Sequence, residues 1–379
     1  MRVVCFYTND IKNKGPFFPA SQNKLNYIFG CLKTNVEKIE ILSLTNVSLN
    51  GKAKESEIFY DENTTIYYPK SLPRNNIINK LIYKIWNKKL IYKFLKKYLS
   101  NCKKGEVVYV YHMAVYHSIL SKLLRKFHLK MILEVEEIYG DVFNNKKLRK
   151  REFKFFNKAD GYLFASKELN ALINHDNRPY AILYGPYQFN DFCGQRRNDD
   201  LIHCVYSGIL DLEKGCNNAI NAALYLDGKF HIHILGYGTD KQKNEILSLI
   251  ENVSKQTKCL ITFDGLKTGK EYDEFLRTCD IGLCTQNPNA KFNGTSFPSK
   301  LLAYISNNLK VVSVKTNVIE DSPFKQFITF YDINSPQCIA DAIRRATFEN
   351  THDAKKFLST MDKRFKSDLK ELFGMVEHN

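Results

Sequence analysis

The segment Phe292–Ser313, FNGTSFPSKLLAYISNNLKVVS, gathers side chains that could manage an anion. Ser296 and Ser299 bracket the Phe297-Pro298 step, Lys300 follows, and an apolar-periodic run starts at Leu301. Pro298 suits the first turn of a helix, where its missing N–H is no loss. The two serines could cap that helix or donate to an anion, with Lys300 beside the free backbone N–H groups. A helix N-terminus carrying hydroxyls and an ammonium matches a phosphate best. An ordinary capped helix in an α/β domain is the competing reading.

A second concentration of chemistry is acidic. Glu134-Val135-Glu136-Glu137-Ile138-Tyr139 closes the strand-like Met131-Ile132-Leu133, and Tyr109-Val110-Tyr111-His112 closes another. A carboxylate or imidazole at a strand end could take a proton from a hydroxyl. Glu136 and Glu137 point to opposite faces of a strand, so at most one should matter strongly. Glu137 is preferred because it lies closer to the loop beyond the strand. Glutamates solvated and balanced by the run from Lys146 to Arg151, and a hydrogen-bonded turn residue at His112, are the bland alternatives.

Alternating strand and helix signals must position these groups. Strand candidates in the first half are 2–7, 38–44, 107–111, 130–135 and 161–165, and helical candidates are 21–34, 76–99, 115–127, 146–157 and 167–173. Such alternation predicts a mainly parallel sheet covered on both faces, with ligands at the carboxyl ends of its strands. A polar, turn-rich stretch breaks the pattern at 185–200, and a second alternating series runs from Ile202 to about Arg345. The expected division is 1–185 and 201–345, with a linker at 186–200 and a C-terminal helical segment at 346–379. In that tail Phe357, Met361, Phe365, Leu369 and Leu372 recur at helical spacings.

Composition narrows the function classes. At 379 residues, 44% of them hydrophobic, the chain has ample core for two or three domains. No run approaches eighteen apolar residues, and MRVVCFYTND reads as a first strand rather than a signal peptide. Ten cysteines without ligand spacing, several of them (Cys5, Cys204, Cys279, Cys284) inside apolar runs, suit a reducing compartment. A cytosolic location is therefore expected. The pair Gly236-Tyr237-Gly238 fails as a dinucleotide fingerprint, since the third glycine would fall at Lys241. No P-loop or zinc signature is present, and His231 with His233 read as one face of a strand. Net charge +16, from 56 basic and 40 acidic residues, suggests an anionic partner and makes a nucleic-acid binder a rival reading. Against it, no recognition motif is visible and the basic residues interleave with aliphatics.

Five elements in order carry a resemblance. Val205-Tyr206-Ser207-Gly208 leads into Lys214-Gly215, and a strand from Ile232 runs into Gly236-Tyr237-Gly238. Phe263-Asp264-Gly265, Cys279-Asp280-Ile281-Gly282 and the Pro298-Ser299-Lys300 element complete the series. This pattern resembles the donor half of group 1, family 4-like glycosyltransferases of the two-Rossmann-domain, metal-independent GT-B type. The resemblance covers roughly 200–345 well and the first half more loosely. It implies two Rossmann-like domains facing a cleft, with the C-terminal helix crossing back onto the first domain. It implies no cofactor and no metal, a nucleotide-sugar donor held near Gly208, Lys214, Gly236, Tyr237, Gly238, Gly265 and the residues Thr295 to Lys300, and a saccharide acceptor. UDP follows from family frequency alone. A first-domain His or acid faces the sugar in that family, which His112, Glu136 and Glu137 match in kind. The domain order looks most like enzymes extending bacterial capsular or O-antigen saccharides, of lipopolysaccharide for example, on a polyprenyl-diphosphate carrier. Thr295 and Ala303 stand where many members carry two acids, and Ile209 where many carry Arg. Those departures leave the ribose contact and the stereochemical outcome open, and they permit a non-catalytic nucleotide-sugar-binding subunit as an alternative.

The span from Asn63 to Gly105 has eleven basic residues and no acid. Within Asn76–Leu99, Ile78, Leu81, Ile82 and Ile85 share one helical side, while Ile91, Phe94, Leu95 and Tyr98 are rotated away. One sector can pack on a sheet. The other, flanked by lysines, suits the headgroup boundary of an anionic membrane, with Tyr98 placed to sit at the interface. A helix-turn-helix wrapped on its own domain is the alternative, with a break at Asn87-Lys88-Lys89.

Overall fold

Runs such as Val107-Val108-Tyr109-Val110-Tyr111 are buried along their whole length. That is the signature of parallel strands covered on both faces. The computed structural model describes residues 1–8, 19–45, 54–73, 76–191, 197, 199–211, 215–288, 291–349 and 352–378. The chain forms two units: Met1–Pro186 together with Arg364–Asn379, and Tyr187–Lys363.

The first unit holds β1 (Arg2–Cys5), β2 (Ile39–Ser43), β3 (Ser56–Asp61), β4 (Thr64–Tyr68), β5 (Val107–Tyr111), β6 (Lys130–Val135), β7 (Gly161–Phe164) and β8 (Tyr180–Ile182). Its helices are α1 (Pro19–Lys33), α2 (Ile77–Leu99), α3 (His117–Lys126), α4 (Tyr139–Val142), α5 (Lys146–Phe156) and α6 (Lys167–Ile173). The sheet runs β3-β4-β2-β1-β5-β6-β7-β8. Strand order reverses between β1 and β5, the position where open α/β sheets take ligands. Among the described residues only β3 with β4 is antiparallel. This edge hairpin departs from the expected alternation, and its outer strand SEIFYD is charged and largely exposed, as edge strands often are.

Helix α2 is continuous, without the break considered at Asn87, and opens on Asn76, whose side chain accepts from the Asn79 N–H at 2.8 Å. Ile91, Phe94, Leu95 and Leu99 join the core. Tyr98 packs its ring at a tilt against Phe94 and Tyr67 and donates its hydroxyl to Glu55, so it belongs to the core edge rather than to an interface with lipid. The other sector is the unpartnered one: Ile77, Ile78, Leu81, Ile82, Ile85 and Trp86 are all exposed.

The second unit holds β9 (Ile202–Ile209), β10 (Phe230–Tyr237), β11 (Leu260–Gly265), β12 (Ile281–Cys284), β13 (Lys310–Val314) and β14 (Ile328–Tyr331). Its helices are α7 (Cys216–Ala222), α8 (Asp240–Ser254), α9 (Gly269–Arg277), α10 (Ser299–Ser306), α11 (Asn317–Glu320) and α12 (Pro336–Phe348). All its strands pair in parallel, in the order β11-β10-β9-β12-β13-β14. The reversal here falls between β9 and β12, giving the doubly wound arrangement. A last helix, α13 (Ala354–His378), contains the boundary at Lys363. Its C-terminal part packs in the first unit. Phe365 stacks on Tyr27, and Lys130 Nζ donates to the carbonyls of Val376 and Glu377 at 3.0 Å each.

Candidate functional site

The carboxyl ends of β9 and β10 come together by the absence of side chains. A Cβ at Gly236 would lie 2.0 Å from the Gly208 carbonyl oxygen, so the two strand ends approach as only glycine allows. Gly215, at φ +92° before α7, is as confined: its Cβ would meet the Thr285 carbonyl at 1.9 Å. Lys300 reaches the same place from α10. Its Nζ lies 4.0 Å over the Tyr206 ring, and 3.2 Å from where a side chain on Gly208 would begin. The contact is of cation–π type and holds the ammonium at the strand end. Burial pushes the Cys216 thiol up to about 12, and the positive charge of Lys300 pulls against it.

A tyrosine network fixes this end of β9. The Tyr304 hydroxyl accepts from the Ser207 N–H at 3.0 Å, and Ser207 Oγ lies 2.8 Å from the Tyr272 hydroxyl. Gly282 leaves room for the Tyr304 ring, which a Cβ there would meet at 2.2 Å. Tyr206 lies in the Val205–Gly208 motif, but the network role of Tyr272 and Tyr304 is not visible in the sequence: Tyr304 sits in an apolar run that reads as core, and Tyr272 in the charged helix GKEYDEFLR.

The segment before α10 differs from its expected capping. Pro298 is the N-cap itself, at φ −71° and ψ 108°, and no side chain caps the helix. Neither Ser296 nor Ser299 does so, and Ser299 is exposed. Phe297 is buried and packs against Phe324, anchoring the segment, while Thr295 and Ser296 are half-buried. Tyr237 is exposed at the end of β10. Gly238 packs beside Leu210 and Gln242, and Gly265 pairs with Leu235 at φ +76°. Lys214 lies outside the described residues.

Among the described residues, His203, His231 and His233 bring ring nitrogens close enough to hold a metal, all within 4.8 Å. Those nitrogens have partners within the protein. His203 Nδ1 is 3.0 Å from His233 Nε2, His203 Nε2 is 2.9 Å from Asp199, and His233 Nδ1 is 3.0 Å from Asp264. Burial, then the neighbouring histidines, pull His231 down to about 4. The group lies in the first half of β9 and β10, away from Gly208 and Gly236.

At the reversal in the first unit the chemistry is acidic and largely spoken for. Glu134, fully buried, and Glu136 each lie 3.0 Å from Lys24 Nζ. The Tyr109 hydroxyl donates to Glu134 and the Tyr111 hydroxyl to Glu136. Burial pulls the Lys24 ammonium down, but the charges of Glu136 and Glu134 outweigh it and raise its pKa. The partner of the glutamates is therefore Lys24 on α1, not the basic run of α5. Glu137, beyond the strand, is half-buried. His112 stands at the end of β5 as expected but is buried, 2% exposed, against Tyr139, Phe156 and His117. Burial and then His117 push it down to about 3, so the ring is neutral. Its Nε2 is 3.3 Å from the Glu152 carboxylate, which accepts the Tyr139 and Gly140 N–H groups at the start of α4.

No family model matches the chain, and no curated protein matches it in sequence. Solved structures resemble it along nearly its whole length. HepE of Anabaena, in complex with UDP and glucose, is 9% identical over 97% of this chain and 98% of its own, with a TM-score of 0.67. An E. coli structure described as trehalose-6-phosphate bound with UDP-2-fluoro glucose is 12% identical over 99% and 97%, at 0.65. The alpha,alpha-trehalose-phosphate synthase (UDP-forming) of Burkholderia xenovorans, in complex with glucose-6-phosphate, is 11% identical over 98% and 97%, at 0.63. At such identities the likeness is one of fold, and the fold of this chain is the two-domain α/β fold of the GT-B glycosyltransferase type.

Proposed function

We propose that this chain transfers a sugar from a nucleotide-sugar donor, UDP-linked, to a saccharide acceptor. The observation that carries the reading is Lys300, held over Tyr206 beside Gly208 at the strand-order reversal of the second unit. The fold shared with structures that hold UDP and UDP-2-fluoro glucose supports it. In the proposed reaction the acceptor oxygen bonds to the anomeric carbon while the bond from that carbon to the diphosphate breaks, its electron pair leaving with UDP. Lys300, the uncapped N–H groups of α10 and Lys214 meet the charge that develops on the diphosphate, so the proposed reaction uses no metal. Glu137 takes the proton of the acceptor hydroxyl. Glu136, engaged by Lys24 and Tyr111, is the second choice for that role, and buried His112 supports the wall behind them.

The acceptor in this reading is carried on a lipid diphosphate, in the building of a capsular or O-antigen type of bacterial surface polysaccharide. The enzyme works in the cytoplasm at the inner face of the membrane. Support comes from the exposed apolar stripe of α2, flanked by Lys80, Lys88 and Lys89, and among the described residues no helix is long and apolar enough to cross a membrane. A screen of UDP-sugars for release of UDP, with and without saccharide acceptors, tests the function. Turnover of at least one donor is expected. UDP binding with no turnover of any donor leaves a nucleotide-sugar-binding subunit instead, and absence of UDP binding contradicts the reading.

A further inference from the structure

A cavity of about 300 Å³ opens in the first unit where α3 begins, with α2 on one side and α5 on the other. Four cationic residues line it: Lys88 from α2, Arg151 and Lys154 from α5, and Lys158 just beyond. Among the described residues none of the four side chains makes an ion pair or hydrogen bond. Elsewhere, by contrast, Lys97 pairs with Glu55 and Arg149 with Asp141. Like charges facing one hollow focus a positive field that an anion relieves. The rest of the wall suits a phosphate. Ser118 and Ser121 offer hydroxyls, and α3 follows an N-cap at Tyr116 (φ 65°) that leaves its first N–H groups without a side-chain cap among the described residues. An Arg guanidinium adds the fork that matches phosphate oxygens.

The cavity continues into an apolar path. Asn87 of α2 donates to the Tyr116 hydroxyl, and the next residue, Lys88, lines the hollow. Ile78, Leu81, Ile85 and Lys88 follow one another at helical spacing, so the exposed stripe of α2 leads to the cavity. Measured along the helix it is roughly 15 Å long. A free phosphate would use only the cations. A phosphate ester of an apolar chain would use both.

We propose that this cavity is the subsite for the phosphate or diphosphate head of an amphiphilic lipid, whose apolar chain lies along α2. The proposal rests on the lipid-linked acceptor proposed above and names where that carrier's anionic group is held. Charge complementarity and the continuity of the apolar stripe with the cationic hollow favour the lipid over a soluble phosphate compound.

Isothermal titration of the full chain with farnesyl diphosphate, inorganic diphosphate and farnesol, each with and without saturating UDP, tests it. Farnesyl diphosphate should bind at least tenfold more tightly than either of the others, with UDP present or absent. The double variant Arg151→Gln, Lys154→Gln should lose tenfold or more of that affinity while its UDP affinity and melting temperature stay unchanged. Equal affinity in the variant, or displacement by UDP, overturns the site. Inorganic diphosphate binding as tightly as the farnesyl ester assigns the cavity to a soluble phosphate, and farnesol doing so removes the anion from recognition; either result overturns the proposal. Failure of UDP to bind, with farnesyl diphosphate still bound, would count against the donor reading alone.

Discussion

The two strand-order reversals solve the same geometric problem with opposite materials. In the first unit the carboxyl ends of β5 and β6 are crowded with ionisable and hydroxyl groups, and these satisfy one another: Lys24 holds Glu134 and Glu136, and Tyr109 and Tyr111 donate to the same carboxyl groups. In the second unit the ends of β9 and β10 carry glycines, and Lys300 is the cation brought to them. A buried charge network fixes a local shape at high cost if broken. A glycine-lined end instead keeps backbone close to whatever binds there. Charge density along the sequence therefore points away from the end proposed to hold the donor, and its scarcity points towards it.

The largest difference between the two ends is expected in turnover. Glu137→Gln should slow transfer by about 10²–10⁴ if it supplies general-base help, and Glu136→Gln should cost less, since Lys24 and Tyr111 already occupy that carboxylate. Normal turnover in both variants would move the base elsewhere. Next in size is the first unit's network. Lys24→Met leaves buried Glu134 without its cation and should destabilise by about 3–5 kcal/mol in urea unfolding. A change below about 1 kcal/mol would mean that the pair behaves as a surface salt bridge.

A substitution in the second unit gives the counterpart. Gly236→Ala forces the Gly208 backbone to move and should cost about 1–3 kcal/mol of stability, with UDP affinity falling alongside. Stability loss with unaltered UDP affinity would separate the glycine contact from UDP binding. The smallest effect is a pH response. Burial raises the Glu152 carboxyl from 4.5 to about 7, against the N–H groups of Gly140 and Tyr139. A raised carboxyl stabilises the fold fully below its unfolded value and loses that contribution as pH rises through the folded one. The melting temperature of the wild type should therefore fall relative to Glu152→Gln between pH 4.5 and about 7. A pH-independent difference would show that burial does not weigh on this group.

Much of the architecture was legible because parallel strands advertise themselves locally. Val107–Tyr111, Lys130–Val135 and Lys167–Ile173 coincide with the observed elements, since each is a short periodic run between turn signals. What stayed hidden depends on distant partners. Lys24 sits in a polar stretch of α1 and meets Glu134 only when α1 docks on the sheet. Glu152 looks like one more solvated charge in KKLRKREFKFF, yet its partners Tyr139 and Gly140 lie on the preceding helix. For α2 both apolar sectors were visible, but periodicity cannot say which one the sheet covers. Of the β3–β4 hairpin, the outer strand β3 is charged and exposed and lacks the apolar signal of its neighbours, while its partner β4 is buried.

In the proposed function the second unit's reversal holds a nucleotide diphosphate through Lys300. Isothermal titration of UDP into the wild type and Lys300→Ala tests it most directly. A lost charge-assisted contact costs about 1.5–3 kcal/mol, so UDP should bind the wild type and bind the folded variant roughly tenfold or more weakly. Equal affinity in the two proteins, or no UDP binding by the wild type, would rule out that role for Lys300.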